Sequence, residues 1–87
     1  MTWRLVFARD AQKDAVRILR AGLKPQTERL LEVLRLNPFQ TPPPFEKLCG
    51  DLAGAFSRRI NLQHRLVYQV LEDQNVVKVL RLWSHYE

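Results

Sequence analysis

The sequence predicts an α+β domain in which two antiparallel helices pack on a mainly antiparallel sheet, in the order β-α-α-β-β-β. Three observations support this fold class. Apolar residues alternate near the amino terminus, two stretches with a helical period follow, and three strand-like stretches separated by short turns close the chain. The 87 residues leave room for one core, so we expect a single domain over 1–87.

The first strand is predicted at residues 3 to 8, where Trp3, Leu5 and Phe7 fall on one side of an alternating pattern. From Arg9 the period becomes helical, because apolar residues then recur at positions i, i+4, i+7 and i+8: Ala11, Ala15, Ile18 and Leu19. The first helix is therefore expected to end at Gly22.

A second helix is predicted to begin at Lys24-Pro25, since proline fits the first turn of a helix, and to end at Asn37-Pro38. The next segment, residues 37 to 45, holds four prolines within seven positions. Prolines remove hydrogen-bond donors and fix φ, so this segment cannot be regular helix or central strand. We expect a stiff, extended loop with Glu46 at its exit.

Three further strands are predicted at about residues 55 to 61, 64 to 72 and 76 to 85. Their connections, at 62–63 and 73–75, are short enough for antiparallel hairpins. Because side chains alternate across a strand, residue parity sorts these strands into two faces. The even positions form the predicted core face: Phe56, Ile60, Leu66, Tyr68, Val70, Leu80 and Leu82.

The odd positions form a polar, cationic and partly aromatic face: Ser57, Arg59, Asn61, Arg65, Gln69, Arg81 and His85, together with Val67, Val77, Val79 and Trp83. Arg58, His64 and Lys78 do not fit this sorting, since they fall on the nominal core side. A register shift of one residue would invert the whole assignment.

The chain is basic, with 14 Lys and Arg against nine Asp and Glu, which gives a net charge of +5. Such a surplus favours a polyanionic partner: nucleic acid, an acidic protein or an anionic membrane face. The single cysteine, Cys49, cannot form an internal disulfide, and no apolar run approaches a membrane span, so we expect a reducing, cytoplasmic setting. Without paired-ligand spacing, neither a metal nor a cofactor is expected.

One combination of residues has chemical content. Cleavage of RNA through its own 2'-hydroxyl needs a base for that proton, a cation for the phosphorane charge and an acid for the departing 5'-oxygen. Glu46, the arginines and His85 could supply these three parts. Structural roles stay open for the same residues: a loop-exit carboxylate, strand-edge charges and a terminal polar side chain.

Three stretches, SRRINLQHRLVYQVLED, TPPPFEKLCGDLAGAFSRR and RLWSHY, resemble the Txe/YoeB family of bacterial toxins from toxin-antitoxin systems, within the RelE-like superfamily. The resemblance covers essentially the whole chain. It implies a RelE-like fold and a metal-independent, ribosome-dependent mRNA endonuclease. Such an enzyme enters the ribosomal A site, cuts the exposed codon and leaves 2',3'-cyclic phosphate and 5'-hydroxyl ends.

The resemblance also implies a role for individual residues. Glu46 matches the family's general base and His85 its general acid. Arg65 and Arg59 match the arginines that stabilise phosphate charge, and Tyr86 matches the tyrosine that helps to orient the substrate. Additional RNA contacts are expected from a small set of basic and aromatic residues: Arg58, Arg81, Lys47 and Trp83.

Two positions depart from the family pattern. Many members have lysine at the position of Cys49, so one cationic contact is lost or moved to the neighbouring Lys47. Members often stop at the tyrosine, whereas here Glu87 follows. Neither change removes a residue on which the implied mechanism depends.

The implied partners are the 70S ribosome with its mRNA and a cognate antitoxin of the YefM/Phd type, whose acidic or amphipathic segment would cover the basic face. A homodimer is a further assembly that the resemblance suggests, and no membrane is expected. Two other functions remain open: a ParE-like toxin that binds DNA gyrase, and a basic RNA-binding module without catalysis. ParE-like relatives generally lack the combination of Glu, Arg and His found here.

Overall fold

The structure, a computed structural model, describes residues 2–48, 50 and 54–84 of the chain. Its elements follow one another as β1 (Arg4–Phe7), α1 (Arg9–Arg20), α2 (Lys24–Leu36), β2 (Glu46–Lys47), β3 (Ala55–Arg59), β4 (Arg65–Leu71) and β5 (Val76–Ser84). The strands form one sheet in the order β1-β5-β4-β3-β2, in which β1 runs parallel to β5 and the other pairs are antiparallel. The predicted fold class is confirmed.

The ends of the two helices follow from local sequence. Asp10 lies in the first turn of α1, and Arg17 and Arg20 lie in its last turn, where they complement the helix dipole. Gly22 has a φ of +73°, a left-handed conformation that glycine adopts without strain, and it separates α1 from α2. Within the described residues, no helix is both long and apolar enough to span a membrane.

The core lies between the two helices and one face of the sheet. Both helices, β4, β5 and the adjoining turns contribute to it: Ala11, Ile18, Leu23, Leu30, Leu34, Ile60, Leu66, Tyr68, Val77, Val79 and Leu82. The even residues of β3 and β4 therefore face the core as predicted. Trp3, Leu5 and Phe7, the apolar set predicted for β1, pack against its margin.

The predicted faces of β5 are wrong over its first half. Val77 and Val79, assigned to the polar face, are fully buried in the core, whereas Leu80, assigned to the core, is not part of it. The reason is the register, because Tyr68 pairs with Val79 and an even position therefore stands opposite an odd one. Further along β5 the core residues change from odd to even positions, so that Leu82 is a core residue.

The β4–β5 pairing has two irregularities, and the first of them causes this change. Tyr68 pairs with Val79, Val67 pairs with Arg81, and Arg65 pairs with Ser84, so β5 gains one residue over β4 at each step. An extra residue on one strand of an antiparallel pair is a β-bulge, which bends the strand and re-aims its side chains.

Asp14 of α1 satisfies the backbone of β5 at this irregular stretch. β1 pairs with β5 only as far as Val79. Beyond Val79, the Asp14 carboxylate takes the place of a neighbouring strand as hydrogen-bond acceptor. Asp14 Oδ2 accepts hydrogen bonds from Arg81 Nε at 2.8 Å and from the backbone N–H groups of Leu82 at 3.1 Å and Trp83 at 3.2 Å. Burial alone would raise the pKa of Asp14, but these bonds outweigh it and lower that pKa.

We expect Asp14→Asn to weaken the fold and to flatten its dependence on acid. Because the pKa of Asp14 is lower in the folded chain, its stabilisation is present above the unfolded pKa of about 3.9 and is lost as the pH falls through the folded value. The variant should lose about 2 kcal/mol of unfolding free energy at pH 7 and show a shallower decline below about pH 4. Urea unfolding between about pH 3 and 7 measures both quantities.

Asp10→Asn is the matched control, because Asp10 lies on the same helix and is exposed. Its unfolding free energy at pH 7 should stay within about 1 kcal/mol of the wild type. An Asp14→Asn protein with the wild-type decline in acid would contradict the role given to this carboxylate.

Candidate functional site

The structure brings Glu46 and Arg65 together at the ends of two strands. Glu46 of β2 pairs with Ser57 of β3, and paired residues of antiparallel strands lie on the same face of the sheet. Arg65 Nη1 lies 3.3 Å from Glu46 Oε2 and 3.4 Å from Ser57 Oγ. The carboxylate and the guanidinium that the sequence singles out are thus in direct contact.

The two charged side chains differ in their exposure to solvent. The Glu46 side chain is 66% exposed, whereas that of Arg65 is 14% exposed. Ser57, which contacts Arg65, is buried at 1% exposure. The site therefore presents an accessible carboxylate beside a guanidinium whose position the sheet holds. Sequence reasoning missed the contact of Ser57, although its parity matched that of Arg59 and Arg65.

Arg59 stands directly opposite Arg65 in the β3–β4 pairing. Like charges at directly opposed positions of a sheet repel each other, so this pair favours an anion between or beside the two guanidinium groups. Arg65 also pairs with Ser84 on its other side, which brings the end of β5 to the same place. His85 and Tyr86 follow Ser84 in the sequence but lie outside the described residues, as do Cys49 and Glu87.

Arg58 does not fit its predicted RNA contact. Its side chain is 1% exposed, on the core side of the sheet, and its guanidinium donates hydrogen bonds to the Tyr68 hydroxyl and to the carbonyl oxygens of Pro38, Gln40 and Pro43. Because successive side chains of a strand alternate in direction, Arg58 points away from the face that carries Ser57 and Arg59. We correct the prediction: Arg58 supports the proline-rich loop.

The other predicted RNA contacts differ in their surroundings. Lys47 pairs with Phe56, which puts it on the opposite side of the two-residue strand from Glu46. Arg81 forms an ion pair with Asp14, and its side chain is 42% exposed. The Trp83 ring stacks on His64 with a centroid separation of 3.8 Å.

Metal ligands are not clustered in the described part of the chain, which contains no group of three or more His, Cys, Asp or Glu suited to a metal ion. The chemistry that the contacts support is proton transfer by a carboxylate next to a cation that binds phosphate oxygens.

We expect Glu46→Gln to leave the stability of the fold nearly unchanged. The carboxylate is mostly exposed, and ion pairs of this kind contribute at most about 1 kcal/mol. Thermal and urea unfolding of the variant should agree with the wild type within that limit. A larger loss of unfolding free energy would assign Glu46 a structural role and would contradict its assignment to the site.

Comparison with known proteins places the chain among toxins. The family model of the YoeB-like toxin of bacterial type II toxin-antitoxin systems matches residues 12–86. Toxin YoeB of Streptomyces coelicolor is 35% identical over 85 residues, and the alignment covers 95% of this chain and 99% of the relative.

Solved structures agree with the sequence comparison. The YoeB/ParE toxin from Agrobacterium tumefaciens superposes with a TM-score of 0.85 at 30% identity, covering 95% of this chain and 99% of that one. YoeB from Staphylococcus aureus has been solved as a dimer, with a TM-score of 0.79 at 31% identity, covering 97% of this chain and 98% of that one. The same toxin has also been solved in complex with YefM.

Proposed function

Because the chain belongs to the YoeB-like family of toxins from bacterial type II toxin-antitoxin systems, we propose that it is a ribosome-dependent endoribonuclease that cleaves mRNA in the ribosomal A site and so stops translation. The observation that carries this proposal is the contact of 3.3 Å between the exposed Glu46 carboxylate and Arg65. It joins a base and a phosphate-binding cation within the reach of one RNA linkage.

The reaction begins at the 2'-hydroxyl of the nucleotide on the 5' side of the cut. The Glu46 carboxylate removes the hydroxyl proton, and the 2'-oxygen attacks the adjacent phosphorus. Charge then accumulates on the non-bridging phosphate oxygens of the phosphorane. The guanidinium of Arg65, joined by the neighbouring Arg59, binds these oxygens and stabilises that charge.

The second half of the reaction breaks the bond between phosphorus and the 5'-oxygen. His85 donates a proton to the departing oxygen, so one RNA strand gains a 2',3'-cyclic phosphate and the other a 5'-hydroxyl. Tyr86 orients the substrate beside it. These two roles rest on the family resemblance, and they are supported by the register that sets Ser84, the residue before His85, opposite Arg65.

The proposed partners follow from the relatives and from charge. The S. aureus YoeB structures include a complex with YefM and a dimer, and we propose an antitoxin of that type and a homodimer for this chain. The net charge of +5 and the paired Arg59 and Arg65 suit both an acidic antitoxin segment and the phosphates of mRNA and ribosome. The proposed place of action is the bacterial cytoplasm, where ribosomes translate.

Cleavage by the purified protein on ribosomes programmed with a defined mRNA tests the proposal. We expect cuts within the A-site codon, and we expect Glu46→Gln or Arg65→Ala to lower the single-turnover rate by about a hundredfold or more, because each removes a group that acts in the transition state. Primer extension maps the cuts. The matched controls are Glu28→Gln and Arg29→Ala, which change exposed residues of α2 and should keep the wild-type rate.

Two results would overturn this function. Robust cleavage by both Glu46→Gln and Arg65→Ala would remove the base and the cation from the mechanism. Intact mRNA together with an accumulation of cleaved DNA-gyrase complexes after induction would favour the ParE-like activity instead.

Removal of residues 85 to 87 should abolish cleavage while leaving antitoxin binding in place. The truncation deletes the proposed general acid, but it leaves β5 complete to Ser84. Growth after induction and co-purification with a YefM-type antitoxin measure the two properties. Continued killing by the truncated chain would show that His85 is dispensable.

A further inference from the structure

A buried arginine holds the segment that leads to Glu46. Arg58 Nη2 donates hydrogen bonds of 2.9 Å to both the Pro38 and the Gln40 carbonyl oxygens, and its Nη1 donates to the Pro43 carbonyl oxygen. Its Nε donates to the Tyr68 hydroxyl at 3.1 Å, and that hydroxyl in turn donates to the Pro38 carbonyl oxygen at 3.0 Å. One guanidinium thus connects three carbonyls spread over six residues of the loop.

Besides Arg58, the loop is held by short-range hydrogen bonds at Phe39 and Gln40 and by ring contacts of Phe39. Four of the residues from 38 to 44 are prolines, which have no N–H group, so the loop cannot form a regular backbone ladder of its own. Buried carbonyl groups nevertheless need donors. Arg58 supplies these donors. Because Arg58 belongs to β3, its hydrogen bonds connect the loop to the sheet.

The same guanidinium also reaches the residue before the candidate base. Arg58 Cζ lies 4.9 Å from the centroid of the Phe45 ring, and Phe45 packs edge-on against Phe56 at 5.6 Å. Glu46 follows Phe45 directly. The last loop residue before Glu46, Phe45, is therefore in contact with Arg58.

β2 itself is too short to fix Glu46 alone. It has two residues, paired with Ser57 and Phe56 of β3, and the next backbone bond runs from the Leu48 N–H to the Ala55 carbonyl at 2.9 Å. A pairing of this length has little stability without support at its ends. On the amino-terminal side, that support comes from the loop that Arg58 binds.

We propose that Arg58 is a positioning residue, which acts through the proline-rich loop of residues 38–45 to hold the Glu46 carboxylate against Arg65. This inference rests on the proposed function, in which Glu46 is the base. It differs from an RNA contact, because the Arg58 side chain is 1% exposed. It also requires guanidinium geometry: lysine carries its donors on a single nitrogen and cannot reach acceptors lying in several directions.

The test compares Arg58→Lys with the wild type in two measurements. In ribosome-dependent cleavage, we expect the maximal rate to fall by about tenfold to a hundredfold while the KM for programmed ribosomes changes by no more than about twofold, since the base is misplaced but the RNA contacts remain. Adding Arg58→Lys to Glu46→Gln should cause no further loss, because both act through one carboxylate.

The second measurement does not depend on activity. Amide hydrogen exchange of Arg58→Lys should be faster at Gln40, Glu46 and Leu48 and unchanged in α1 and α2. Tyr68→Phe removes one donor and one acceptor from the same cluster but keeps the ring, so it should show a smaller effect in the same direction, even where Arg58→Lys folds poorly. Arg20→Lys, an exposed change on α1, is the control for both measurements.

Three outcomes would overturn the inference. The first is unchanged exchange in β2 in both Arg58→Lys and Tyr68→Phe, and the second is a loss of rate that adds to that of Glu46→Gln. The third is a weaker ribosome affinity with a reduced salt dependence, which would indicate a phosphate contact. If the wild type leaves mRNA intact, only the proposed function fails, and hydrogen exchange still decides whether Arg58 holds β2.

Discussion

The hydrogen bonds between the Asp14 carboxylate and β5 are the interaction on which the arrangement of this chain depends. β5 lies between β1 and β4 in the sheet, but β1 accompanies it for only four residues. Beyond that point the N–H groups of Leu82 and Trp83 would meet no strand, and the carboxylate of α1 accepts them. The strand can therefore continue, through an irregular stretch, until Ser84 stands opposite Arg65.

Elements whose signals are local in the sequence are predictable, and those that depend on tertiary pairing are not. α1 and α2 were predictable because an apolar stripe, Gly22 and Pro25 all act within a few residues of the helices that they define. β2 was not, since two residues carry no period. The faces of β5 were misassigned at Val77 and Val79, because the pairing partner decides which parity faces the core, and the pairing of Tyr68 with Val79 is a tertiary property.

In the candidate site, too, the sequence predicts the residues but not their contacts. Glu46 and Arg65 lie 19 positions apart in the sequence. The loop exit and residue parity single them out and family resemblance implies their roles, but neither predicts their contact. The adjacent Arg58 and Arg59 are chemically identical, yet one is enclosed by carbonyl groups and the other stands opposite Arg65. Parity had already put Arg58 on the core side. The charge of Arg58 suggests an RNA contact, but its burial shows that it supports the proline-rich loop instead.

Because β2 has only two residues, the length of the loop before it decides which side chain faces Arg65. Glu46 and Lys47 point to opposite sides of the sheet edge, and only the pairing of Glu46 with Ser57 brings a carboxylate to Arg65. One residue inserted into or removed from the preceding loop, if absorbed as a slip of β2 along β3, would offer Arg65 an ammonium group in place of a carboxylate. The length of the proline-rich loop therefore sets the sign of the charge beside Arg65.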